Sequence, residues 1–321
     1  MKHSDRHRTI SGRPGPGALS LVLAFGLALA WGIGSAAAYT YGNLVVARGA
    51  VIEEYRVDGT RVGDLPVPYP GGIRTVENPL RDVAFDQEAR VAVYNGAAHP
   101  WLSVYDPALR TWSHETLTGF STSEIPGFGG LASSVSALVA TDTGTLDGAE
   151  NGLLRFNTPD ITAKQRFASG FDFSDVATAP NGRIYALLAG LALIWIFDPV
   201  TLEAVDQLLL PNPFVAMTVG SNGDVYTVDG EGTIRRYDAT ATLVDAFPSG
   251  LPLPVDIDCS ATGELVVGTS FGEILLTDLE LDFVHIFFPG GGPAYVTWVP
   301  PHATTPATPL TWGSLKARYR R

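Results

Sequence analysis

Cysteine, basic residues and long apolar segments are all scarce in this 321-residue chain. Cys259 is the only cysteine, so no disulfide can form within the chain and the fold must rest on packing. Lysine and arginine number 21 against 33 acidic residues, which gives a formal net charge of −12. Such a balance disfavours nucleic acid, which requires a cationic surface. After residue 33 the long uncharged stretches are interrupted by Gly, Pro and polar residues, so none is a candidate membrane span.

The N-terminus has the three regions of an export signal. Lys2, Arg6, Arg8 and Arg13 form a basic region, and residues 18–33 are uncharged and apolar. Residues 35–38 then read "SAAA", which offers an Ala-x-Ala cleavage site before Tyr39. We therefore expect a signal peptide over residues 1–38 and an exported protein, either secreted, periplasmic or on the cell surface. An uncleaved N-terminal anchor is the alternative, because the apolar run is nearly long enough to span a membrane.

Glycine and proline are abundant, and they recur at a fixed interval. The chain has 35 Gly and 23 Pro, which favours short strands joined by turns. Gly182, Gly223 and Gly263 lie 41 and 40 residues apart, each in a turn between two apolar runs. A recurring aspartate lies 40 residues apart at positions 198, 238 and 278. A period near forty with four short strands per unit is typical of a β-propeller blade.

The two ends of the repeat region complete one another. Residues 41–68 contain the second, third and fourth strands of a blade without the first. Residues 294–300, "AYVTWVP", form a first strand with no successors. Two further copies lie at 82–117 and 127–167, in addition to the three that the recurring aspartates mark. The sequence thus predicts an all-β, six-bladed propeller over residues 39–300, with four-stranded antiparallel blades. Its C-terminal strand is predicted to join the N-terminal blade and so remove the open edge.

The blade sequences resemble the NHL, YVTN and gluconolactonase-like group of propeller repeats. The resemblance rests on "DVATAPNGRIY" at 175–185 and on "NGDVY" at 222–226, each with an aspartate closing the third strand. It covers residues 39–300 and is specific for fold only, because propellers include hydrolases, lyases, lectins and scaffolds. The gluconolactonase-like members hold a metal in the channel with acidic and amide side chains. That fuller ligand set, with a glutamate and asparagines, is not identifiable in this chain.

Three aspartates are the candidate metal ligands. Alignment of the blades places Asp82, Asp175 and Asp256 at the start of alternate innermost strands, where they converge on the central channel. Carboxylate oxygens suit Ca²⁺, and a bound cation can polarise a lactone or ester carbonyl. The alternative is structural, since an aspartate before Val-Ala belongs to the repeat and often caps a turn. The equivalent positions in the other blades were assigned to Gly127, Ala216 and Tyr295, which supply no further acidic or amide ligand.

A second group of residues is predicted to bind a ligand directly. Tyr295 is placed at the channel, and His99 and Trp101 are placed in a loop where an aromatic side chain can contact a sugar or a peptide. Because no complete catalytic set is visible, the favoured function is a non-catalytic binding or scaffold module for an unknown protein or carbohydrate. The alternative is a Ca²⁺-dependent lactonase-like hydrolase, or a lyase, acting in the channel.

The last twenty-one residues differ in composition from the blades. Residues 301–321 have a Thr/Pro-rich linker and then the basic segment "TWGSLKARYRR". This segment resembles a C-terminal sorting or docking tag of secreted bacterial proteins. It is predicted to contact the acidic body or anionic envelope polymers, and a disordered basic end is the alternative. No membrane span is expected once the signal has been cleaved.

Overall fold

The computed structural model describes most of the repeat region and leaves out both termini. The residues described are 39–65, 80–95, 101–107, 109–116, 129–142, 151–188 and 190–301. The predicted signal peptide, His99 and the C-terminal segment from residue 302 lie outside them. Among the described residues, no helix is long and apolar enough to cross a membrane.

Six four-stranded antiparallel sheets form the six blades of a propeller, as predicted. The strands are numbered in chain order. Blade 1 contains β1 (Leu44–Arg48), β2 (Val51–Tyr55), β3 (Arg61–Asp64) and the last strand of the chain, β24 (Ala294–Trp298). Blade 2 contains β4 (Leu80–Phe85), β5 (Val91–Asn95), β6 (Trp101–Asp106) and β7 (Thr111–Thr116). Blade 3 contains β8 (Leu131–Ser134), β9 (Ala137–Asp142), β10 (Gly152–Asn157) and β11 (Lys164–Phe167).

Blades 4 to 6 follow the same plan without interruption. Blade 4 contains β12 (Phe173–Thr178), β13 (Ile184–Leu188), β14 (Leu193–Phe197) and β15 (Ala204–Leu209). Blade 5 contains β16 (Ala216–Val219), β17 (Val225–Val228), β18 (Thr233–Tyr237) and β19 (Leu243–Pro248). Blade 6 contains β20 (Pro254–Cys259), β21 (Glu264–Thr269), β22 (Ile274–Asp278) and β23 (Phe283–Phe287).

The C-terminal strand closes the ring. β24 pairs antiparallel with β1, with Ala294 opposite Arg48 and Trp298 opposite Leu44. The innermost strand of blade 1 therefore comes from the opposite end of the chain from its other three strands. This confirms the predicted closure, and it places the inner strands in the ring order β24, β4, β8, β12, β16 and β20.

Burial falls from the axis to the rim, which explains the composition of each strand. All four residues of β16 and of β17 are buried, whereas five of the six residues of the outer strand β15 are exposed. The apolar clusters lie between neighbouring blades, as where Met217 of blade 5 packs with Tyr185 of blade 4. Inner strands are sandwiched between blades and are therefore apolar on both faces.

The recurring aspartate is a turn residue. The Oδ1 atom of Asp238 accepts the backbone N–H groups of the residues two and four positions on, and Asp278 makes the equivalent pair of bonds. In blade 4 the Oδ1 atom of Asp198 accepts the N–H groups two and three positions on. Each of these side chains caps the turn between the third and fourth strands. The forty-residue periodicity of this aspartate therefore reports blade geometry rather than chemistry.

Candidate binding site in the central channel

The three aspartates predicted as metal ligands lie in the inner strands of blades 2, 4 and 6. Asp82, Asp175 and Asp256 are buried, and all three line a channel cavity of about 240 Å³. Each follows a β-bulge, at Arg81, Ser174 and Val255 respectively, where the pairing with the second strand shifts register. A bulge re-aims the side chain beside it. The inner strands of blades 1, 3 and 5 pair with their neighbours without a shift.

Each bulged strand uses its aspartate to hold the next blade. The Oδ2 atom of Asp175 accepts the backbone N–H of Met217 at 2.7 Å, and that of Asp256 accepts the N–H of Val296 at 2.6 Å. Asp82 Oδ2 accepts the N–H of Leu131 in the same way. The Oδ1 atoms of Asp82 and Asp175 accept the N–H of the residue that follows each of them. Blades 2, 4 and 6 are thereby joined to blades 3, 5 and 1.

Gly130 of blade 3 lies against the aspartate of blade 4. Because Leu131 donates to Asp82 as Met217 and Val296 donate to their aspartates, Gly130 is the blade 3 residue equivalent to Ala216 and Tyr295. The sequence alignment assigned this position to Gly127, which lies outside the described residues. A Cβ atom on Gly130 would lie 2.5 Å from the Oδ1 atom of Asp175. Gly130 is therefore required by the carboxylate of blade 4, which approaches it closely.

Burial makes these carboxylates weak acids. Desolvation raises the pKa of Asp175 to about 7, although its two backbone N–H partners act in the opposite direction. Desolvation also raises the pKa of Asp82 well above its ordinary value, and the charges of Asp256 and Asp175 raise it further. The pKa of Asp256 rises for the same reasons, with Asp175 and Asp258 as its charged neighbours. The three groups thus repel one another across the channel.

The calcium site stays a prediction, and the three aspartates make backbone contacts that would compete with it. Ca²⁺ takes six to eight oxygen ligands, and both carboxylate oxygens of Asp82 and of Asp175 already accept backbone N–H groups. Within the described ranges, no three His, Cys, Asp or Glu side chains are grouped closely enough to hold a metal ion. The acceptor geometry agrees with the structural alternative, in which the aspartates hold the ring together.

A fourth channel carboxylate, Asp258, strengthens the ring closure. It lies two residues after Asp256 in β20, and its Oδ2 atom accepts the Oγ1–H of Thr297 at 2.9 Å and the N–H of Trp298 at 3.1 Å. Burial raises the pKa of this carboxyl as well. Ala84 and Ala177 hold the corresponding positions after Asp82 and Asp175. The D-x-D pattern at 256–258 was the available sequence signal for Asp258, because alternate strand residues share a face.

Of the three residues predicted to bind a ligand, Tyr295 alone has a described side chain. Tyr295 lies in the inner strand β24, but its side chain is only 2% exposed and packs in the core between blades 1 and 2. It therefore offers a ligand no accessible surface. Trp101 begins β6, a strand of blade 2, rather than lying in a loop, and its side chain is outside the description. His99 lies outside the described residues.

The channel opens into a larger cavity that the sequence did not indicate. We call it the mouth cavity; it has a volume of about 380 Å³ and lies where the inner strands of blades 4, 5, 6 and 1 end. Its lining includes Tyr41, Thr178, Ser221, Asp258 and Trp298. Thr178, Asp258 and Trp298 also line the channel cavity, so the two spaces adjoin. A volume of this size lies within the range of small-molecule pockets, about 300–1,000 Å³.

Two of the residues that line the mouth cavity have a polar side-chain atom with no hydrogen-bond partner among the described residues. These atoms are the Oγ1 atom of Thr178 and the indole Nε1 of Trp298, and both are buried. Asp258, in contrast, already accepts three hydrogen bonds, including one from the N–H of Cys259. Burial raises the pKa of the Cys259 thiol to about 12, so this thiol stays protonated and is a poor nucleophile. Cys259 therefore supplies no activated nucleophile to the cavity.

Comparison with known proteins supports the fold and nothing finer. No family model matches the chain, and no curated protein matches it. A protein of unknown function from Bacteroides caccae superposes with a TM-score of 0.58 at 12% identity, over 80% of this chain and 98% of that one. A chain of a nidogen/laminin complex gives 0.56 at 15% identity, covering 80% and 99%. Virginiamycin B lyase from Staphylococcus aureus gives 0.53 at 13%, covering 79% and 85%. This chain shares their β-propeller fold, and the NHL- or YVTN-like character of its repeats stays a prediction.

Proposed function

We propose that this protein is an exported, non-catalytic binding module whose ligand enters the open end of the propeller channel. The observation that carries the proposal is a difference between two parts of the channel. Both oxygens of Asp82 and of Asp175 already accept backbone donors, whereas the adjoining mouth cavity is open and is lined by the hydroxyl-bearing residues Thr178 and Ser221.

The second candidate is a Ca²⁺-dependent lactonase-like hydrolase, or a lyase. The observation in its favour is the mutual repulsion of Asp82, Asp175 and Asp256, which a cation would relieve. Against it stand the oxygens already used by backbone N–H groups. The shared fold does not choose between the candidates, because it occurs both in a lyase and in a nidogen/laminin complex.

Calorimetric titration with Ca²⁺ separates the two candidates. The purified protein is titrated beside an Asp82→Asn/Asp175→Asn/Asp256→Asn variant, and both are assayed on lactones and esters with and without Ca²⁺. If the protein is a binding module, neither protein should show a saturable heat of Ca²⁺ binding, and neither should hydrolyse the lactones or esters. One-site Ca²⁺ binding that disappears in the variant, together with Ca²⁺-dependent turnover, would establish the enzyme and reject the binding module.

The cellular setting of the proposal is tested separately. Export with cleavage before Tyr39 predicts that protein recovered outside the cytoplasm begins at that residue, which N-terminal sequencing determines. Docking of the basic segment at 311–321 to anionic envelope polymers predicts release by salt, because exposed charge pairs are screened. Truncation after residue 301 should release the protein without salt. Retention of the truncated protein would contradict docking through this segment.

A further inference from the structure

The outer strand of blade 6 differs from the outer strands of the other five blades. In every blade the outer strand has a free edge, where its backbone N–H and C=O groups point away from the sheet and can pair with another chain. The outer strands β3, β7, β11, β15 and β19 each carry at least one Asp, Glu, Lys or Arg side chain, which opposes such pairing. β23, with the sequence "FVHIF", carries none and has no proline. Among the six described outer strands, it is the one whose edge lacks this protection.

The side chains along this edge are apolar and accessible. Phe283, Val284 and Phe288 are each more than half exposed, and Ile286 is 42% exposed. Four exposed apolar side chains therefore fall within six consecutive residues at the rim of the propeller. An exposed apolar group of this kind commonly marks an interaction surface.

β23 is held in place by its own blade and by blade 1. It pairs with β22 from Phe283 to Phe287. The ring of Phe287 packs against Tyr55 of blade 1, with 5.7 Å between the ring centroids, and the ring of His285 stacks on Phe287 at 6.0 Å. The edge is thus a formed strand, so a further strand can be added to it with little loss of conformational entropy.

The distribution of charge favours a second copy of this chain as the added strand. The chain has a formal net charge of −12, so two copies repel one another except where acidic residues are absent. Residues 283–293 contain no charged residue apart from the titratable histidine, whereas the turn at 278–282 has three acids. Antiparallel pairing brings the acidic turn of each copy to the uncharged residues 288–292 of the other, and so keeps the two acidic turns apart. The basic segment at 311–321, in contrast, finds no acid on this strand to pair with.

We propose that two copies of the protein associate through β23, which pairs antiparallel with β23 of the partner subunit about a twofold axis. The full strand is paired in the register centred on His285, with Phe283 opposite the partner's Phe287 and Val284 opposite the partner's Ile286. Aromatic and β-branched pairs of this kind stabilise neighbouring strands. The contact uses the free edge of both copies, so association stops at a dimer. Because five residues a side make a small interface, the dimer is expected to be weak and concentration-dependent. The proposal does not depend on what the mouth cavity binds.

Sedimentation velocity of the full protein at rising concentration tests this proposal. The mass should rise from that of one chain toward that of two. Val284→Lys places a charge at the paired edge, opposite an apolar side chain, and should raise the dissociation constant at least about tenfold. Val205→Lys is the matched control, because Val205 is also exposed and is also the second residue of an outer strand, β15 of blade 4. It should leave the association unchanged.

A charge pair tests the register. Val284→Lys/Ile286→Glu places each new lysine opposite a new glutamate of the partner subunit, on both sides of the twofold axis. This variant should regain most of the association that Val284→Lys loses, whereas Val284→Lys/Ile286→Lys should not. Urea unfolding midpoints close to that of the original protein verify that each variant is folded.

Four outcomes would overturn the proposal. A mass of one chain at every concentration rejects the dimer, and if truncation after residue 301 then allows association, the C-terminal segment occupies the edge instead. Species larger than two chains reject a closed pairing. Equal loss of association in Val205→Lys and Val284→Lys rejects β23 as the contact. If the charge pair regains nothing over Val284→Lys, the register centred on His285 is wrong.

Discussion

The buried carboxyl group of Asp175 is expected to make the stability of the propeller fall as pH rises. An aspartate in an unfolded chain has a pKa of about 3.9, whereas burial raises the pKa of Asp175 in the folded protein to about 7. Between these values the folded state binds more protons than the unfolded state. Stability is therefore highest with respect to this group below pH 4, and it decreases as pH rises to 7. A difference of about three units corresponds to about 4 kcal/mol.

The substitution Asp175→Asn isolates this contribution. The amide oxygen can still accept the N–H of Met217, but the amide nitrogen cannot accept the N–H of Val176, which costs about 1–3 kcal/mol. At pH 4 the variant should therefore be the less stable protein. At pH 7.5 the original protein carries the cost of a buried charge and the variant does not. The difference between the two should change by about 4 kcal/mol, which exceeds the cost of the lost bond, so the variant should be the more stable protein at pH 7.5.

Urea unfolding followed by tryptophan fluorescence at pH 4 to 8 measures the two stabilities. Asp198→Asn is the matched control, because Asp198 is exposed in a turn and its backbone partners lower its pKa. The stabilisation that Asp198 contributes is present above the pKa of the unfolded chain and is lost as the pH falls. This pH dependence is opposite to the one expected for Asp175. A stability difference between Asp175→Asn and the original protein that stays constant from pH 4 to 8 would refute the assignment of a raised pKa to Asp175.

Three further predictions concern a close contact between blades, a buried hydrogen bond and an exposed strand edge. Gly130→Ala should lower the free energy of unfolding by about 1–3 kcal/mol or more, because the added Cβ would overlap the carboxylate of Asp175 in the next blade. Gly63→Ala is the control: nothing lies within 4 Å of its added Cβ, so it should be nearly neutral in the same urea assay. Glu54→Ala removes the acceptor of the Asn43 amide at 2.6 Å and should cost about 1–3 kcal/mol, measured by the unfolding midpoint. Val284→Lys places a charge on the exposed outer strand β23, which has no Asp, Glu, Lys or Arg. The charge should oppose association through this strand edge, so light scattering at high protein concentration should fall without loss of stability. Unchanged scattering would contradict this prediction.

The architecture was predictable because the repeat fixes both period and strand order. The glycines near the first turn and the aspartates at the last turn recur every forty residues, and the unpaired first strand at 294–300 required a partner at the N-terminus. These signals are local in sequence and depend on turn geometry that only a few residue types satisfy. The number of blades and the closure of the ring followed from them without knowledge of any contact.

The candidate site was only partly predictable, because it depends on contacts between blades. The sequence placed Asp82 and its two counterparts in the channel, but it could not show the bulges that turn each carboxylate to the next blade. Trp298 lies in the core between blades 1 and 6 and is 7% exposed. The missing acceptor of its indole N–H is visible only when the surrounding chain is known. Pattern analysis identifies residue types and faces, whereas hydrogen-bond saturation is a property of the folded ring.

The alternation of aspartates explains why binding is expected at only one end of the channel. An aspartate in all six inner strands would bring six buried carboxyl groups together, and each would raise the pKa of the others. Three aspartates, in blades 2, 4 and 6, bond to the backbone of blades 3, 5 and 1. Three buried carboxyl groups instead of six therefore join every second pair of neighbouring blades. The carboxyl oxygens that join the blades are turned toward protein donors. Under the proposed function, a ligand is therefore expected at the end of the channel where the inner strands finish, in the mouth cavity.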